Sequence, residues 1–207
     1  MKYGYVATLG LAAFVTGALM NLDPRSVEAY VTSITSRIEK FFLYNPAKRN
    51  LKLGDMLMEK VLGAMEARDK SREWMYLDSD TIDNVSSAIL YYQEARRIIA
   101  GHKKPKNGDW ADGCTPEMDE DEKDIRAHFY YGIGIGKKIL GNNARFENND
   151  VMASDWVSAR RYFEHAFDCV DEKGKNEISK EIKDINRSLE WHLRHRIMMR
   201  PMDKIEI

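Results

Sequence analysis

Apolar side chains recur every three or four residues over most of this chain, and nowhere do they alternate in the two-residue rhythm of a half-buried strand. The first such stretch is Val27, Tyr30, Val31, Ile34, Ile38 and Phe41. Asp23-Pro24 ahead of it supplies a cap followed by proline in the first helical turn, and Pro46 is expected to end the helix. Leu53, Met56, Leu57, Val61, Leu62 and Met65 predict a second helix over about 51–67. Asp80 is the expected cap of a third, with Ile82, Val85, Ala88, Tyr92, Ala95 and Ile99 on its buried side and Gly101 closing it.

The segment from His102 to Cys114, with three lysines, a proline and two glycines, is loop chemistry. Thr115-Pro116-Glu117 is read as the opening of a fourth helix through Ile125, Phe129, Gly132, Ile135 and Leu140, ending at Gly141. Ser154 is expected to start a fifth, with Trp156, Ala159, Phe163, Ala166 and Val170 inward. A sixth runs from about Asn176 through Ile178, Ile182, Ile185, Leu189 and Leu193 and stops at Arg200-Pro201. The body is therefore expected to be all-α.

One stretch has no polar face. From Tyr5 to Leu22 there are 18 residues without a charge, about 27 Å as a helix, which approaches the thickness of a bilayer's hydrocarbon core. This predicts a transmembrane anchor. Thr16-Gly17-Ala18 is a poor cleavage site, so the segment reads as an anchor that is kept, a signal-anchor, rather than a leader that is removed. Lys2 on one side and Arg25, Arg37 and Lys40 on the other leave the orientation open.

Composition narrows the class further. The chain has 207 residues, 43% hydrophobic and 31% charged, as in a folded globular body. Its formal charge is −1, from 32 Lys and Arg against 33 Asp and Glu, so no basic excess points to nucleic acid. Two cysteines, Cys114 and Cys169, exclude a zinc ribbon; in an oxidising compartment they can pair if the fold brings them together.

Two pairs of helices carry matching patterns. Ala88-x-x-x-Tyr92-x-x-Ala95 matches Ala159-x-x-x-Phe163-x-x-Ala166, and Leu53-Gly54-x-x-Leu57 matches Tyr131-Gly132-x-x-Ile135. Small residues around a ring let helices approach closely while the ring fills the space between successive pairs. Over residues 50–171 this resembles the tetratricopeptide repeat, with Leu-Gly-x-x-Tyr on its first helix and Ala-x-x-x-Phe-x-x-Ala on its second. The Trp of that family's first helix and its closing Pro are absent, and the links between helices are longer. The resemblance implies antiparallel helix pairs presenting a groove to a protein partner, with the last helix as a cap.

Other constellations have bland readings beside their sharp ones. Gly132-Ile-Gly134-Ile-Gly136 lacks the preceding strand of a phosphate loop and is read as close helix packing. The acidic run from Glu117 to Asp124 lacks the order of a calcium loop and is read as complementing a helix dipole. His192 and His195 have zinc-compatible spacing but no third ligand. With Arg194, Arg196 and Arg200 they form a basic cluster suited to an anionic lipid or protein, or simply a solvated helix end. Trp74, Trp110 and Tyr91 are candidate interface anchors. No catalytic elbow, Walker loop or zinc-protease helix occurs, so neither an enzyme nor a cofactor is expected.

The organisation so predicted is an anchor over 1–22, an amphipathic linker helix over 23–46, a helical-repeat-like domain over 47–200 and a tail over 201–207. The expected function is a membrane-anchored adaptor or accessory subunit that binds other proteins of a membrane complex and no nucleic acid. Its expected location is a bacterial inner membrane, facing the periplasm, or a mitochondrial membrane. Two alternatives stay open: a structural subunit packed permanently in a large assembly, and an enzyme whose site gathers His128, His165 and nearby carboxylates.

Overall fold

A computed structural model of the protein describes residues 24–71, 77–101, 113–144 and 149–198. Among them all regular structure is α-helical: α1 (Pro24–Ser71), α2 (Ser79–Gly101), α3 (Glu120–Ala144), α4 (Asn149–Phe167) and α5 (Glu172–Met198). The anchor assigned to 5–22 and the tail over 201–207 lie outside the described residues. No described helix is long and apolar enough to cross a membrane.

The chain divides into a unit ending at Phe42 and a second unit from Leu43 onward. In the first, the exposed rings of Phe41 and Phe42 meet edge to face at 5.7 Å.

Three carboxylates start α2, α3 and α5 by the same device, each accepting a hydrogen bond from the amide three residues on. Thr81 donates to Asp78 at 2.7 Å, Glu122 to Asp119 at 3.1 Å and Gly174 to Asp171 at 2.9 Å. Bonds from the Thr81 side chain and amide also hold the Asp78 carboxyl below its ordinary pKa. Several sequence-based boundaries move accordingly. Asp78, not Asp80, is the cap of α2, and Thr115-Pro116-Glu117 forms a turn closed by Met118 N–H on Thr115 O, so that α3 begins only at Glu120.

Two expected breaks do not occur. Pro46 lies inside α1, whose helix runs on to Ser71. A proline removes one ladder bond, yet Tyr44, Ala47 and Leu51 are buried around it, and such packing outweighs the local penalty. Likewise Gly141 does not end α3, because it is buried against the Trp156 indole of α4. The buried stripe of α1 is Tyr44, Ala47, Leu51, Gly54, Met58 and Val61, which leaves Met56 and Leu62 exposed despite their place in the predicted apolar face.

Cross-helix contacts define the stacking. α2 runs antiparallel to α3, with Leu77 N–H on Asn143, Ile89 over Gly136 and Tyr92 over Gly132. α4 is also antiparallel to α3, through Trp156 on Asn142, Phe163 over Gly134 and His165 beside Tyr130. In contrast, α1 and α3 run parallel, joined by Tyr44–Asp119, Lys48–Asp121 and Asp55–His128. Helix α5 lies along α3 in the same sense: Asp124 shares a hollow with Gly174 near the start of α5, and farther along Lys138 bonds Glu181 at 2.5 Å. The odd-numbered helices thus lie side by side, with α2 and α4 packed behind them.

The glycines of α3 make this arrangement possible by dividing between two neighbours. A Cβ on Gly132 would fall 2.6 Å from the Tyr92 ring of α2, and one on Gly134 would fall 2.8 Å from the Phe163 ring of α4. Tyr92 is wedged from its other edge as well, since a Cβ on Gly54 of α1 would lie 2.7 Å away. One buried ring therefore locks three helices. A disulfide between Cys114, before α3, and Cys169, after α4, closes the same end of the stack across 55 residues, with Cα atoms 5.0 Å apart.

Candidate interaction surface

The parallel odd-numbered helices leave shallow hollows between them, and α3 is the ridge that separates these. Asp124, His128 and Tyr131 follow at intervals of four and three, so they share one side of α3. Between α1 and α3 lies a hollow of about 300 Å³ walled by Lys48, Leu51, Lys52 and Asp55 as well as Asp124 and His128. Between α3 and α5 lies another of about 380 Å³, shared by Asp124, His128 and Tyr131 with Val170, Glu177 and Ile178. A third, of about 750 Å³, surrounds the disulfide and is also reached by Asp124. Asp124 is common to all three.

The floor of the ridge is fixed by a three-helix hydrogen-bond node. Asp55 Oδ1 of α1 accepts from the Tyr92 hydroxyl of α2 at 2.9 Å and lies 2.8 Å from His128 Nε2 of α3. Because a carboxylate only accepts, Nε2 is the nitrogen that carries a proton in this contact. Burial, and then the Asp55 bond, push the Tyr92 phenol above its ordinary pKa, so it stays a donor. The node is a latch between helices; its tyrosine is buried away from any ligand.

The histidines singled out for an enzyme site do not converge. His128 faces α1, whereas His165 packs at a tilt against Tyr130, with 5.2 Å between their ring centroids. Residues 128 and 130 are about 200° apart around a helix, so the two histidines attend opposite sides of α3. Among the described residues no three His, Cys, Asp or Glu side chains gather as a metal site.

The residues expected to pack the repeats fall as follows. Gly54, Ala88, Tyr92, Ala95, Gly132, Ala159, Phe163 and Ala166 are buried; Leu53, Leu57 and Ile135 are half-buried. Tyr131 is 37% exposed and meets the Phe163 ring along one side. The basic cluster needs correction. His192 is buried at 5% exposure while Leu193 is 57% exposed, because the inward stripe of α5 steps seven residues at a time from Ile178 to Ile185 to 192. His192 is thus no surface contact, whereas Arg194 is exposed. The side chains of His195 and Arg196, and all of Arg200, lie outside the described residues, as do Trp74 and Trp110. Tyr91 is exposed on α2, beside exposed Leu90.

Sequence reasoning missed Asp55, Asp124 and Glu177. The Asp124-x-x-x-His128-x-x-Tyr131 spacing was visible, but Asp124 closes an acidic run that reads as dipole compensation. A second missed feature is the Glu122–Arg126 pair, both side chains at most 8% exposed and 3.0 Å apart, with Arg126 also donating to Gly113 O. Compared with protein-family models, with curated proteins and with solved structures, the chain matches none.

Proposed function

We propose that this protein is a membrane-anchored adaptor or accessory subunit, which binds a protein partner on the face made by α1, α3 and α5. The carrying observation is the pair of adjoining hollows on that face, both bordered by Asp124 and His128. Such a surface offers side-chain pockets along a rigid track, whereas His128 and His165 attend opposite sides of α3 and do not converge on one site. The tetratricopeptide-like reading is supported by the Tyr92 ring between Gly54 and Gly132, which ties the two matched patterns together. A location on the oxidising side of a bacterial inner membrane or in a mitochondrial membrane is supported by the Cys114–Cys169 pair, since such bonds persist where thiols are not kept reduced. Residues 5–22 serve as the anchor in this reading.

The test is gentle detergent extraction of the full chain, affinity purification and mass spectrometry. Expected is a membrane-fraction complex of defined stoichiometry that is lost when His128→Glu and Lys52→Glu are introduced. Recovery of the chain alone, in the aqueous fraction, overturns the proposal.

A further inference from the structure

The hollow between α3 and α5 has a chemistry that selects its occupant. Its charged wall is acidic: Asp124 stands on one side and Glu177 on the other, both exposed, and no lysine or arginine is among the described residues that border it. His128, which also borders the hollow, is already engaged by Asp55 from α1. Beneath the carboxylates the surface is apolar, formed by Ala127, Val170, Ile178 and the Tyr131 ring. Burial, and then the nearby Glu181 and Glu177 carboxylates, raise the pKa of the Tyr131 phenol at its edge.

We infer that this hollow takes an arginine or lysine side chain from the partner polypeptide, its alkyl stem lying on Ala127, Val170, Ile178 and Tyr131 and its cation held between Asp124 and Glu177. A long cationic side chain has the matching build: an apolar stem with a charged tip. An acidic or purely aliphatic side chain would leave both carboxylates repelled or buried without a partner. The neighbouring hollow across α3 fits a polypeptide rather than a free amine, because a segment leaving the acidic pocket over Asp124 enters a second one bordered by Lys48 and Lys52. Lys48 is paired with Asp121, so that among the described residues bordering this hollow Lys52 is the lysine placed to meet an acidic group farther along the segment. The inference rests on the proposed adaptor face and specifies what that face reads.

The experiment is selection of a displayed random-heptapeptide library on the full chain in mild detergent, followed by titration of fluorescein-labelled copies of the enriched peptides. Expected are peptides enriched in Arg or Lys. Their binding should fall about tenfold for each of Asp124→Asn and Glu177→Gln, as for loss of a charge-assisted hydrogen bond, and should weaken with salt. Both positions are exposed and the replacements nearly isosteric, so helix content by circular dichroism should not change; Asp83→Asn on α2 should leave binding as it is. Enrichment of acidic or uncharged peptides overturns the inference. So does basic enrichment insensitive to both variants, and so does the absence of any enriched peptide. The adaptor reading is judged separately by co-purification, which can succeed while this selection fails.

Discussion

Replacing Gly132 by alanine adds one methyl group to the most crowded helix crossing in the protein. The new Cβ would sit 2.6 Å from two carbons of the Tyr92 ring, whereas carbons rest at about 3.5–4.0 Å. The ring therefore has to retreat by about 1 Å. Its retreat is blocked, because the opposite edge already meets Gly54 and the hydroxyl is tied to Asp55 at 2.9 Å. Overpacking of this kind costs about 1–3 kcal/mol, and breaking the Asp55 bond adds about 1.5–3 kcal/mol. Against this, alanine in a helix gains about 1 kcal/mol over glycine. The net expectation for Gly132→Ala is a loss of about 1.5–5 kcal/mol.

Gly63 in α1 supplies the control, since nothing lies within 4 Å of a Cβ there. Gly63→Ala should show the propensity term alone and stabilise by about 1 kcal/mol. Urea unfolding of the full chain in nonionic detergent, followed at 222 nm, measures both as shifts in midpoint. A Tyr92→Ala background completes a double-mutant cycle: with the ring gone, Gly132→Ala should become neutral or stabilising. If Gly132→Ala proved as stable as Gly63→Ala in the native background, Tyr92 is not the wedge described and the three-helix lock is wrong.

Other consequences are open to measurement. Reducing the Cys114–Cys169 bond frees a 55-residue loop and should lower stability by about 4 kcal/mol; thiol alkylation of the denatured, unreduced protein should label neither cysteine. Arg126→Met should cost about 3–5 kcal/mol by removing the ion-pair partner of buried Glu122, and adding Glu122→Leu should recover most of that loss in the same unfolding assay. Tyr92 has a raised pKa in the folded state, so its contribution is whole below pH 10, the unfolded value, and is lost as pH rises beyond it. Stability against urea should therefore decline above about pH 10, and Tyr92→Phe should reduce that slope by up to about 1.4 kcal/mol per pH unit.

The all-α body was legible because three-and-four periodicity is a local property: Val85, Ala88, Tyr92, Ala95 and Ile99 are buried as their spacing requires. The helix limits were not, because Pro46 and Gly141 are breakers only in a free helix; both are held here by tertiary packing. His192 and Leu193 changed places for a related reason. The choice between steps of three and four depends on how α5 lies against its neighbours, and hydrophobicity alone favours the leucine. The hollows were invisible for a stronger reason. They exist because α1, α3 and α5 run parallel at a fixed register, and their walls come from residues as far apart as Lys48 and Ile178.

That register depends on α3, whose intrinsic preference is poor. Four glycines in 25 residues cost about 4 kcal/mol relative to alanine, and an isolated helix with that composition is not stable. Helix α3 is held by what packs into its gaps: Tyr92 and Ile89 from α2, Phe163 and Trp156 from α4. The ridge of Asp124, His128 and Tyr131 therefore forms only when both flanking helices are docked. Amides in α3 should exchange with solvent only through unfolding that also releases α2 and α4, rather than by local fraying. A partner that reads this ridge consequently reads the assembled stack, since no single helix of the chain can present it.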